Sequence, residues 1–217
     1  MAKAADSSPV AQGLRFFGQA TAGVTHEIKN CLALINEFNG LIGDLIQAHE
    51  KGHPLNLERI KSLVGDIKRQ VASGGEITAN LNRFAHSADE EWDQVELGAH
   101  LRLFAALAQR SLHRRGASLE VTAGDAPRGV RTRPMLLLLA WQQALEATLG
   151  GQQGGGVVRV RLREEPGWAW ADFSLEGASG GRLPGPGVEP GLRQALGARE
   201  EPAPGGLSLG LPSGQDQ

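Results

Sequence analysis

The sequence is nearly devoid of cysteine, with Cys31 alone among 217 residues. That excludes an internal disulfide and a multi-cysteine zinc site. Long apolar runs are missing too. The longest, around Met135 to Trp141, falls well short of the roughly 20 residues a membrane helix needs. The segment Met1 to Val10 has no apolar stretch that could serve as a signal peptide. A soluble, cytoplasmic chain without membrane insertion is expected. Net charge is small, -2 with a pI near 6.3, so nothing pulls the chain generally towards nucleic acid or an anionic membrane. Arginine clusters exist at Arg110, Arg114, Arg115 and at Arg159, Arg161, Arg163. They lack interleaved aromatics and read as solvated faces, so no nucleic-acid partner is expected. The histidines (His26, His49, His53, His86, His100, His113) show no ligand spacing with carboxylates on one helix face, so no metal site is expected.

What is present is a long helical pattern. From Val10 the apolar positions run Leu14, Phe17, Thr21, Val24, Ile28, Cys31, Ile35, Phe38, Ile42, Leu45, in alternating steps of four and three. This is a heptad seam with Thr21 as its polar member. Phe16, Leu32, Leu34, Leu41 and Ile46 widen the stripe to bundle width. Glycines at 13, 23, 40 and 43 each cost about 1 kcal/mol against alanine, so the helix needs tertiary support. Lys51-Gly52-His53-Pro54 ends it, and Asn56 is the expected N-cap of a second helix with the stripe Leu57, Ile60, Val64, Ile67, Val71, Ile77, Leu81, Phe84. Gly74-Gly75 marks a weak or closely packed point. The pair forms an antiparallel hairpin with more apolar surface than it can bury alone. A second copy would complete a four-helix bundle, so a homodimer is expected.

The second half changes character. Trp92 to Gln94 reads as a connector and Leu97 to Leu112 as a helix. Ser118 to Thr122 reads as a strand, and Pro134 to Leu149 as a helix with proline in its first turn. Val157 to Arg163 alternates apolar with basic residues, and Trp168 to Leu175 is its hairpin partner through Pro166-Gly167. Helices with antiparallel strands predict a small α+β sandwich. From Gly177 onward, glycine and proline predict little regular structure apart from a short helix near Leu192 to Leu196. The expected division is a hairpin domain over residues 1–91 and a second domain with a Gly/Pro-rich tail over 92–217.

His26 falls at the outermost heptad position, with the small Ala22 and Ala33 near it, so its imidazole is open to another protein. The string Thr25-His26-Glu27-Ile28-Lys29-Asn30-Cys31-Leu32 resembles the phosphoacceptor box of sensor histidine kinases, His-Glu-(Ile/Leu)-(Lys/Arg)-Asn-Pro-Leu. It departs at Cys31, where the family has proline, so the helix is expected to run straight there. Asn80-Leu81-Asn82-Arg83-Phe84-Ala85 resembles the end of that family's second dimerisation helix. The resemblance implies that His26 is the phosphoacceptor, that Glu27 assists proton transfer, and that Asn30 serves removal of phosphate from a response regulator. The implied partner is a response-regulator receiver domain, with Mg²⁺ supplied by that partner.

The same resemblance makes the second half a degenerate kinase-type ATP-binding domain. The family's asparagine-alanine pair is replaced by Glu146-Ala147, with Gln142 one turn earlier. Where an aspartate should meet adenine stands Leu175, followed by Glu176-Gly177. Gly205 to Leu211 resembles a faded glycine-rich phosphate loop. Gln142, Glu146 and Gly177 are thus remnants of a nucleotide site, and no tightly bound cofactor is expected. The resulting expectation is a two-component phosphorelay protein that moves a phosphoryl group through His26 to or from a regulator aspartate without ATP. The alternatives are an active ATP-dependent sensor histidine kinase, a response-regulator phosphatase, and a non-catalytic dimeric scaffold.

Overall fold

The computed structural model describes residues 9–122, 129–150, 156–176 and 187–213. They fall into two compact units, one spanning Thr21 to Asn82 and the other joining the residues up to Ala20 with those from Arg83 onward.

The first unit is the hairpin. Helix α1 (Pro9–Glu50) runs into it and helix α2 (Leu57–His86) returns. The turn closes as expected: Asn56 Oδ1 accepts the Arg59 amide at 2.9 Å, satisfying one of the orphan N–H groups of α2. Val24 and Cys31 are buried, and Ile28, Ile35, Phe38, Ile42 and Leu45 are half-buried along the expected seam of α1; on α2 Leu63 is buried, while Leu57, Val64 and Val71 of the expected stripe are exposed. A Cβ added to Gly74 would lie 3.9 Å from Cys31 Cβ, so the helices pass closely there. The seam departs from expectation at its N-terminal end. Leu14 is 69% exposed, while Phe16 and Ala20 are buried. The reason is that these first turns of α1 belong to the other unit, where Phe16 meets Phe84 edge-on at 5.6 Å between ring centroids and Phe17 stacks on it at 5.2 Å.

The second unit is α+β. Its main sheet has the order β2-β4-β5-β7-β6: Ser118–Thr122, Val157–Glu165, Trp168–Leu175, Gly206–Pro212 and Arg199–Ala203. β4, β5, β7 and β6 pair antiparallel, but β2 pairs parallel with β4, so the sheet is mixed, not antiparallel as expected. The connection between β2 and β4 carries a helix, which is what parallel neighbours require. Inward-facing Val158, Val160, Leu162, Ala169, Ala171, Phe173, Leu207, Leu209 and Leu211 are buried against α3 (Leu97–Arg114) and α4 (Pro134–Leu149). Opposite them, Arg159 pairs with Glu120 and Glu176, and Arg163 with Asp172, so these arginines are occupied by neighbouring carboxylates. A two-stranded sheet, β1 (Asp93–Val95) with β3 (Val130–Thr132), flanks the unit. β1 replaces the connector expected at Trp92 to Gln94.

Two expectations for the tail are overturned. The short helix is present as α5 (Pro190–Leu196), but β6 and β7 follow it where no regular structure was expected. Gly205 to Leu211 is not a phosphate loop. Gly205 turns the chain, and Gly206 to Leu211 lie in strand β7, between β5 and β6. The glycine at 206 is there for close approach, since a Cβ would sit 1.9 Å from the Phe173 carbonyl oxygen. Pro166-Gly167 makes the β4–β5 turn as expected, with Gly167 at φ 79°, a left-handed conformation that costs glycine little.

His100 on α3 is packed against Trp141, its Nε2–H donating to the Pro134 carbonyl at 3.0 Å. Burial pulls its pKa below the ordinary imidazole value, against the hydrogen bond to Pro134 and the nearby Asp93, which both push it up.

Candidate functional site

In the hairpin unit His26 is exposed, and so are Thr25, Lys29 and Asn30; Glu27 is half-buried. Asn30 lies four residues on from His26 and Ala22 four before, so all three share one helix face. Ala22 and Ala33 near that face are small, and Lys29, three residues on, is itself exposed. Among the described residues His26 and Glu27 make no hydrogen bond with each other. Consecutive helical residues project about 100° apart and do not face one another. Thr25 is tied to its own helix through Oγ1 to the Thr21 carbonyl at 2.8 Å. Cys31 is buried in the seam, and helix α1 continues unbroken through it, as the missing proline predicts. Chemically, the hairpin offers an accessible imidazole, a neutral amide one turn away and a neighbouring carboxylate.

In the other unit, Gln142 and Glu146 do line a common pocket, of about 620 Å³, between α4 and α5. Gly177 lies outside the described residues. Glu146 is engaged: Arg115 Nη1 donates to its Oε2 at 2.6 Å and Gln142 Nε2 to its Oε1 at 3.2 Å. The first turns of α1 reach the same pocket through Gln12. Gln143 Nε2 donates to Gln12 Oε1 at 2.6 Å, Gln12 Nε2 to Glu189 Oε2 at 2.7 Å, and the Glu189 amide to Gln143 Oε1 at 2.8 Å. These three bonds close a ring. Glu200 Oε2 accepts the Val188 amide at 2.6 Å. Leu175 ends β5, its Cδ1 packed near Gly156. Sequence reasoning missed Gln12, Gln143, Glu189, Arg193 and Glu200, because each reaches the pocket through a distant contact that no local motif marks.

Among the described residues no group of histidine, cysteine and carboxylate side chains could hold a metal ion, and no helix is long and apolar enough to cross a membrane.

No protein family and no curated protein matches the chain. Solved structures similar to it are histidine kinases and a phosphotransferase. The Acinetobacter baumannii histidine kinase AdeS is 10% identical, with 82% of this chain and 96% of that one covered at a TM-score of 0.41. A bacterial phosphotransferase is 14% identical over 91% of this chain and 95% of that one, at 0.45. The histidine kinase ThkA, in complex with response regulator protein TrrA, is 13% identical over 93% of this chain and 63% of that one, at 0.45. At this identity and these scores the likeness is one of fold only.

Proposed function

We propose that the chain is a two-component phosphotransfer protein in which His26 takes a phosphoryl group from a response-regulator aspartate and passes it on, without ATP. The observation that carries this reading is the exposed imidazole of His26 within the string His26-Glu27-Ile28-Lys29-Asn30, on a helix whose opposite face is buried. In the transfer, the lone pair of one ring nitrogen attacks phosphorus in line. The bond from phosphorus to the aspartyl oxygen breaks, and the carboxylate leaves with its electron pair. The ring must be neutral to attack. The proton on its other nitrogen is then lost to a base, a part for which Glu27 is the nearest carboxylate in sequence. Mg²⁺ arrives with the regulator.

The α4–α5 pocket supports the route without ATP. The Glu146 carboxylate is bound by Arg115 and Gln142, and carboxylates at Glu189 and Glu200 repel a triphosphate. Leu175 has no acceptor for an adenine amino group. These residues do not fit Mg²⁺ with ATP. A homodimer is supported by the hairpin surface. Leu34 and Leu41 on α1, and Leu57, Val64 and Val71 on α2, are exposed apolar residues at seven-residue spacing, off the internal seam. That is a second stripe suited to a partner hairpin.

The test is phosphoryl capture from a regulator carrying labelled acyl phosphate. The protein becomes acid-labile labelled, and His26→Gln abolishes the label while leaving the thermal melt unchanged. Label retained in His26→Gln refutes the assignment.

A further inference from the structure

The pocket between α4 and α5 supplies no group to the phosphotransfer step itself, yet its charges are not left over at random. Three carboxylates stand in its wall, and each has a protein donor: Glu146 from Arg115, Glu189 from Gln12, Glu200 from the Val188 amide. The backbone amide at the start of α5 is used as well, by Gln143. Arg193 is the exception. It lines the same pocket, and among the described residues it makes no ion pair and its Nε is buried without a hydrogen-bond partner. Glu189, one turn earlier, is not within ion-pair distance of it and gives its carboxylate to Gln12.

A buried guanidinium donor without an acceptor is costly, and the group that satisfies it best is a carboxylate or phosphate meeting its planar fork. The three neighbouring carboxylates decide between them. They raise the energy of every extra negative charge brought into the pocket, which favours a monoanion over a phosphate carrying two or more charges. Ala147, Val188 and Pro190 supply apolar wall, and about 620 Å³ lies within the range of small-metabolite sites.

We propose that this pocket binds a small organic monocarboxylate, its carboxylate on Arg193 and its apolar body against Ala147, Val188 and Pro190. The residues left from a nucleotide-type site have thus been turned to a different ligand class. The ring through Gln12 makes the first turns of α1 one wall of the site.

The proposal is independent of phosphotransfer and is tested by binding alone. The full-length ¹⁵N-labelled protein is titrated with sodium butyrate, sodium benzoate, inorganic phosphate and Mg²⁺ with ATP, following the side-chain Nε–H resonances of arginine. The expected result is a saturable shift of one such resonance with butyrate or benzoate. It is assigned to Arg193 by its loss in Arg193→Lys, which keeps the charge and the fold. Affinity, read in the variants from the backbone amides of Ala147 and Val188, falls at least about tenfold in Arg193→Lys and further in Arg193→Gln. No saturable shift with either carboxylate overturns the proposal, as does a shift produced only by phosphate or ATP, or one that survives in Arg193→Lys.

Discussion

A histidine can be left exposed, as His26 is, or half-buried against an aromatic ring, as His100 is, and the two positions make different demands. Burial beside Trp141 pulls the His100 pKa down, with Asp93, Glu96, Arg83 and His86 around the same hollow. Its folded pKa lies below the unfolded one, so in acid the unfolded chain binds more protons. Stability that is complete above the ordinary imidazole value near 6.5 is therefore lost as pH falls through and below it. Thermal melts between about pH 7.5 and 5 should show a smaller loss of Tm in His100→Gln than in the parent. Equal losses would mean that this imidazole does not govern the acid limb. Gly206 makes a steric demand. Its missing Cβ would overlap the Phe173 carbonyl oxygen, so Gly206→Ala has to push β7 from β5. A cost of about 1–3 kcal/mol, or roughly 2–12 °C in Tm, is expected in a thermal melt.

The hairpin was open to reading because its period is long and regular. Alternating steps of four and three over Thr21 to Leu45 fit a helix with one inward stripe, and that stripe is buried at Val24 and Cys31 and half-buried elsewhere. Helix α4 likewise starts at Pro134, where a proline fits the first turn, and ends at Leu149, where Gly150 adopts a left-handed cap. The β6–β7 pair is hidden by the glycine- and proline-rich composition of its segment. Leu207-Ser208-Leu209-Gly210-Leu211 alternates with period two, and its glycines reflect contact with Phe173 and the Trp170 ring, not disorder. β1 and β3 are three residues each, too short to carry a period. The exposed face shared by His26 and Asn30 was legible from a local string. Gln12 and Arg193 were not, since a bond spanning 177 residues, such as Gln12 to Glu189, leaves no trace in either neighbourhood. The exposed stripe of Leu34, Leu41, Leu57, Val64 and Val71 makes its own forecast. Sedimentation should find a dimer, and Leu41→Asp with Val64→Asp should give a folded monomer. A monomeric parent protein would refute the homodimer.

For the molecule as a whole, the hairpin and the α+β unit divide the chemistry unevenly. One presents an exposed imidazole at His26. The other is a mixed five-stranded sheet packed on α3 and α4, and its pocket is lined with engaged carboxylates. The central claim is therefore about the source of the phosphoryl group. The direct test incubates the purified full-length protein with γ-labelled ATP and Mg²⁺, and separately with a regulator carrying labelled acyl phosphate. The account predicts label on His26 from the regulator and none from ATP. Label on His26 from ATP alone would contradict it and would mean that the α4–α5 pocket serves a working kinase.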